Sequence, residues 1–247
     1  MKLAALRAGW LTQTFVHWAF EPEHVMALLP SGLTVDTYDG MAWVSLTPFV
    51  MARVRPAGLP GAGFTCLETN LRTYVLGPDG SRGLWFLSIE VNRAVMLGAR
   101  AVGAPYHRAR LDLSRAGGAL TYTGHRRGAG AAYRLRVRPG RAIEPVGLDV
   151  WLTSLWRAYT SRLGRLWRTP VEHGPWPLRE AAVDVLEESL TRAAGLPAPG
   201  GEPLVHFSDG VEPVRLGLTR PTHLGHAPGR GRHGTDTATP RTEEAQS

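Results

Sequence analysis

Apolar and polar residues alternate along much of the chain in short runs separated by glycine and proline, the pattern of strands joined by tight turns. A first strand is predicted around Trp10 to Trp18. Pro22 then suits the first position of a short amphipathic helix, EPEHVMALL, which Pro30 stops. Leu33 to Tyr38 and Met41 to Arg53 read as a β-hairpin, because Asp39-Gly40 supplies the positive φ of a two-residue turn. After a loop at 55–63 come FTCLETNLRTYV (64–75) and the strongly apolar LWFLSIEV (84–91), joined through Gly77-Pro78-Asp79-Gly80. Asn92 is placed to cap a helix over RAVMLGARAV. Strands follow at Tyr106 to Leu113, Leu120 to Arg126 and Ala132 to Val137. Asp149 is placed to cap a helix over Val150 to Tyr159, and Leu166 to His173 reads as extended. Pro177 to Ala194 reads as a helix with Ala181, Val185 and Leu186 inward, before closing strands at 204–207 and 211–218.

The segment 64–75 carries the chemistry. With period two, Cys66, Glu68, Asn70, Arg72 and Tyr74 share one face, and Thr65, Leu67, Thr69, Leu71, Thr73 and Val75 the other. An acid, an amide and a guanidinium at every second position, about 7 Å apart in turn, can line one concave wall. The alternative is a face turned to water on an antiparallel sheet. The apolar partner at 84–91 favours a covered sheet.

Composition sharpens this picture. At 247 residues the chain suits a β-rich domain over 1–218, followed by a tail at 219–247 whose Gly, Pro, Thr and charged residues are expected to stay disordered. The net charge of +7 comes almost wholly from arginine, since Lys2 is the only lysine. That bias, with abundant Ala, Gly and Pro, fits a high-GC genome, and nucleic-acid binding is not expected. No secretory signal and no run of apolar residues long enough to cross a membrane is visible, and Cys66 is the single cysteine, so a cytoplasmic protein without disulfides is expected. Cys66 reads as an ordinary buried thiol. His17, His107 and His173 lack the spacing of a metal site, and neither a metal nor a cofactor is expected.

Six phrases in order, HWAF (17–20), GMAWVSLTPFVM (40–51), ETNLRTYV (68–75), GLWFLSIE (83–90), GAPYHRA (103–109) and HGPWPL (173–178), resemble the YqjF-like family of conserved bacterial proteins, whose fold is related to acetoacetate decarboxylase. The resemblance covers about residues 10–218. It implies a mainly β fold with peripheral helices, an acetoacetate-decarboxylase-like antiparallel β-barrel or cone with an internal pocket. The decarboxylase of that fold works through a lysine Schiff base in a Gly-aromatic-Pro-Lys-Lys phrase. The similar phrase here, Gly103-Ala104-Pro105-Tyr106-His107, has no lysine at either place, so the resemblance does not extend to that chemistry.

The expected ligand-binding residues are Glu68, Asn70, Arg72, Tyr74 and Tyr106, with Glu68, Tyr106 and His107 as candidate acids or bases. Alternation lets only one of Tyr106 and His107 point inward. The leading reading is a protein that binds a small carboxylate or carbonyl compound. The alternatives are a non-catalytic structural or interaction module in which Glu68 and Arg72 form an internal ion pair, and an enzyme using Glu68 or Tyr106 in acid–base chemistry. Oligomeric state is left open.

Overall fold

The computed structural model describes residues 4–128 and 130–222. Its strands in chain order are β1 (Ala4–Phe20), β2 (Thr34–Val35), β3 (Thr37–Tyr38), β4 (Met41–Pro56), β5 (Phe64–Leu76), β6 (Arg82–Val91), β7 (Tyr106–Ala116), β8 (Ala119–Arg126) and β9 (Ala132–Ala142). They continue with β10 (Arg157–Arg162), β11 (Arg165–Glu172), β12 (Leu178–Glu188), β13 (Leu204–Gly217) and β14 (Arg220–Pro221). Three short α-helices, α1 (Pro22–Met26), α2 (Leu148–Thr153) and α3 (Leu190–Ala193), and a 3-10 helix at Ala94–Val102 connect them. The expected mainly β class with peripheral helices is what the chain adopts.

The hydrogen-bonded ladder closes on itself by two routes. A smaller ring runs β11-β10-β6-β5-β4-β1-β13 and returns to β11; a larger one runs β6-β7-β8-β9-β12-β13-β1-β4-β5 and returns to β6. A strand has only two edges, so the rings separate where a strand changes partner along its length. In β6, Leu84 and Trp85 pair with β10, whereas Ile89, Glu90 and Val91 pair with β7. In β13, His206 to Ser208 pair with β12, whereas Arg215 and Leu216 pair with β11. The shared wall β6-β5-β4-β1-β13 is therefore covered on both faces, which is why β5 is buried from Glu68 to Val75. The main apolar core draws Val16, Leu46, Leu71, Leu111, Leu135 and Phe207 from strands of the larger ring, with Val25 and Leu190 from α1 and α3. A second cluster, including Phe49, Met51, Ile89 and Tyr106, lies on the side of the smaller ring.

Several local readings hold. Asp39 and Gly40 take φ of 50° and 77° in the β3–β4 turn, and Pro22 opens α1. The β5–β6 hairpin pairs antiparallel from Glu68↔Val91 to Leu76↔Arg82. Others are corrected. The expected helix at 177–194 is mostly strand β12, followed by the short α3. Its Ala, Glu and Leu content favours a helix locally, but the segment gains a ladder to β9 and charge complementarity with it. Asp184 sits at a register shift and meets both Arg136 and Arg138, at 3.2 and 3.0 Å. The helix expected at 150–159 ends at Thr153, and the chain enters β10 because β6 and β11 offer it two edges.

Asn92 and Asp149 are not the caps they were expected to be. The 3-10 helix begins after Arg93, and the Asn92 side chain instead accepts a hydrogen bond from the Leu67 N–H at 2.9 Å, pinning β5. Asp149 lies in the first turn of α2, accepts from the Val146 N–H and meets His206 Nε2 at 3.1 Å. Gly103 ends the 3-10 helix at φ 83°, where a Cβ would lie 2.3 Å from the Ser161 carbonyl oxygen on β10. Past residue 218, the Thr219 hydroxyl is 2.8 Å from that of Thr169, and β14 pairs with β11. Residues 223–247 of the expected tail lie outside the described residues.

Cys66 is buried, and burial pushes its thiol up to about 12. A thiolate-selective reagent at pH 8 should leave the folded protein unmodified and label it fully in denaturant. Rapid labelling of the native state would show that β5 opens at this end.

Candidate functional site

The β5 face predicted to carry chemistry turns into a cavity of about 430 Å³ on the smaller-ring side. Alternation places Glu68, Asn70 and Arg72 on its wall, while Leu71 on the other face enters the main core and the Thr69 hydroxyl meets that of Tyr133 at 2.6 Å. The surrounding wall is largely apolar, with Phe49 and Met51 from β4, Phe86 and Ile89 from β6, and Met96 from the 3-10 helix.

Arg72 is 7 % exposed, and among the described residues no carboxylate pairs with it. The proposed Glu68–Arg72 ion pair does not form, which removes the basis of the internal-lock alternative. Burial draws the guanidinium pKa below its usual value, and the Tyr74 hydroxyl is the neighbour that favours its charged form. The Phe15 ring lies 5.6 Å from Cζ, and the buried Nε has no hydrogen-bond partner. Arginine does not give up its proton at these pH values, so the cavity wall carries a buried positive charge.

Tyr74 does not line the cavity. Its ring packs beside Leu152, Leu155 and Trp151, where α2 and the segment after it close that end. Its hydroxyl is 2.7 Å from Ser45 Oγ, which is 2.7 Å from His17 Nδ1. His17 is fully buried, and burial together with His206 and Arg72 holds its pKa well below the imidazole range. A neutral buried chain from His17 through Ser45 to Tyr74 thus stands behind Arg72 and fixes its position.

At Glu68 the electrostatics are reversed. Burial raises its pKa to about 8, against the opposing hydrogen bonds of Tyr106 and Asn70, and Glu90 adds to the rise. The Tyr106 hydroxyl donates to Glu68 Oε2 at 3.0 Å. At neutral pH Glu68 is largely a neutral acid, able to donate as well as accept. Tyr106, first residue of β7 and paired in register with Ile89, is the member of the Tyr106–His107 pair that faces the cavity. His107 pairs in register with Glu90, does not line the cavity, and is held neutral, near 4, by burial and by Arg126 and Arg100. Glu90 is itself buried against Arg126.

Sequence reasoning missed Gln13 and Arg157. Gln13, on β1, is 2 % exposed, lines the cavity and leaves Oε1 without a partner, as does the Oδ1 of Asn70. Half-buried Arg157 of β10 adds a second cation to the wall. Neither stands out in the sequence, because no neighbouring residue marks either as facing a cavity. His173 lines the cavity, its Nδ1–H donates to the Gly174 carbonyl at 2.6 Å, and its ring packs against Trp10 and Trp176. Among the described residues no cluster of His, Cys, Asp and Glu could hold a metal.

Comparison with solved structures places this fold among acetoacetate-decarboxylase-like proteins. An acetoacetate decarboxylase-like enzyme from Sphingomonas wittichii RW1 is 18 % identical with a TM-score of 0.62, covering 89 % of this chain and 93 % of that one. The enduracididine biosynthesis enzyme MppR, complexed with pyruvate, is 16 % identical with a TM-score of 0.64, covering 87 % and 89 %. Acetoacetate decarboxylase from Legionella pneumophila is 12 % identical with a TM-score of 0.59, covering 89 % and 88 %. At these identities the likeness concerns the fold. A protein of Bacillus subtilis (strain 168) described as uncharacterized protein YqjF is 35 % identical over 212 residues, 82 % of this chain and 87 % of that protein. Residues 7–212 match the pattern of DUF2071, described as uncharacterized conserved protein, and the chain belongs to that family.

Proposed function

We propose that the protein binds a small anionic or carbonyl-bearing molecule in the cavity, without lysine Schiff-base chemistry. The observation that carries this reading is Arg72, a buried cation on a cavity wall with no carboxylate among the described residues to neutralise it. A charge in that setting is costly unless a partner arrives, and a carboxylate can accept two hydrogen bonds from the guanidinium fork. Gln13 and Asn70 add amide groups with an unused oxygen each. Structural relatives include one complexed with pyruvate, which agrees with a carboxylate ligand. Lys2 is the only lysine of the chain, so imine formation has no nucleophile among the described residues.

A second reading, acid–base catalysis on the bound molecule, is favoured by Glu68. A carboxyl group with its pKa near 8, hydrogen-bonded to Tyr106 on the same wall, is suited to deliver a proton at neutral pH. We also place the protein in the cytoplasm, as the single cysteine suggests; among the described residues no helix is long and apolar enough to cross a membrane.

A thermal-shift screen of carboxylates and neutral carbonyl compounds tests the binding reading, alongside native mass spectrometry of freshly purified protein. Carboxylates should raise the Tm of wild type, and Arg72→Met should weaken their binding about tenfold or more. If no carboxylate shifts the wild type, or if Arg72→Met responds equally, the reading fails.

A further inference from the structure

The cavity is far larger than its charged group needs. At about 30 Å³ per water-sized volume, 430 Å³ corresponds to roughly fourteen heavy atoms, and a two- or three-carbon acid would fill less than half. The remaining space is walled by Phe49, Met51, Phe86, Ile89, Met96 and Leu155, with alanines such as Ala8, Ala99 and Ala158 keeping it open. Water in such space finds few polar partners, whereas an apolar group entering it exchanges water contact for close packing. Glu68, Asn70 and Arg72 put polar groups on the β5 wall, with Gln13 and Tyr106 also on the lining, and Arg157 and His173 add polar groups from elsewhere. One cavity therefore joins a few polar anchors to a largely apolar wall.

Resting on the reading of Arg72 as an anion contact, we propose that the ligand is an amphipathic carboxylate, with its head on Arg72 and a hydrophobic body of about ten atoms in the apolar part of the cavity. The head would take the guanidinium fork, with the Asn70 or Gln13 amide completing its hydrogen bonds. Glu68, largely neutral at physiological pH, adds no competing negative charge and leaves a donor for a carbonyl or hydroxyl along the body. The same wall would suit an alkyl chain or an aromatic body: Trp10 stacks on Trp176 at 6.0 Å between ring centroids, and His173 packs tilted against both at 5.4 and 5.2 Å.

Isothermal titration of the full chain with sodium alkanoates from acetate to dodecanoate, each below its micelle concentration, tests this directly. Affinity should rise roughly threefold to fourfold per methylene until the cavity is filled at about ten to twelve carbons, and then level off. The heat-capacity change of binding should grow more negative along the series. Phenylalkanoates of equal carbon number form the second arm; whichever class binds more tightly identifies the body while supporting the proposal. Arg72→Met should weaken every member tenfold or more, and Ala99→Trp, at a half-exposed position on the lining, should shift the optimum to shorter chains. The wild-type series stands without either variant. A flat series that still depends on Arg72 overturns the amphipathic inference and leaves the anion contact standing. A steep series indifferent to Arg72→Met overturns both, as does a series in which nothing binds.

Discussion

Without ligand, Arg72→Met should unfold within about 1 kcal/mol of wild type, or be the more stable, whereas Arg126→Met should lose roughly 3 to 5 kcal/mol. Both arginines sit on strands and both are largely buried, so the contrast isolates their partners. Arg126 neutralises buried Glu90, and its loss would strand that carboxylate. Among the described residues Arg72 has no acid to strand. Its favourable contacts are the Tyr74 hydroxyl and the Phe15 ring, the latter worth on the order of 0.5 to 2 kcal/mol, and a methionine recovers desolvation and apolar packing in exchange. Denaturant unfolding of the two variants and of Arg72→Met with Glu68→Gln measures this. A loss above about 3 kcal/mol in Arg72→Met that Glu68→Gln restores would mean that Glu68 neutralises Arg72 after all, and the site would then be structural.

The second large effect lies in pH dependence. Because the folded pKa of Glu68, about 8, is above its ordinary value of 4.5, the folded state holds a proton that the unfolded chain has released throughout that interval. Stability from this group is complete below pH 4.5 and is lost as pH rises towards 8, at about 1.4 kcal/mol per pH unit. The buried histidines work in the other direction. His17, His107, His173 and His206 have lowered pKa values, so they favour the folded state as pH rises, but only up to their unfolded value of 6.5. Glu90, raised in direction by burial, has the same sign as Glu68. The clean window is therefore pH 6.5 to 8. Across it wild type should lose about 2 kcal/mol more than Glu68→Gln, and the variant should be the more stable protein at pH 8.5. Parallel pH profiles for the two would place the Glu68 pKa near its ordinary value and remove its role as a neutral acid.

Much of the site was legible because strand alternation is a short-range rule. Once 64–75 was read as a strand, Glu68, Asn70 and Arg72 had to share a face, and an apolar hairpin partner pointed to a covered one. The rule says nothing about where a wall ends, and so Tyr74 falls beyond the cavity, behind the segment that carries Leu152 and Leu155. Nor does it choose between neighbours: Tyr106 faces inward and His107 does not because β7 begins in parallel register against Ile89 and Glu90.

The sequence by itself determined the strand-rich class, the β3–β4 and β5–β6 turns, the polar face of β5 and the lack of a lysine in the phrase that resembles the decarboxylase motif. All of these follow from residue type and near-neighbour spacing. Only the tertiary structure decided that 178–188 is a strand, because a ladder to β9 and the ion pairs of Asp184 outweigh a local preference for helix. It alone decided that β6 and β13 change partners to make two rings, and that Arg72 and Glu68 share a wall without neutralising each other. These outcomes depend on which distant edges and charges meet, and no window along the chain contains both members of such a pair.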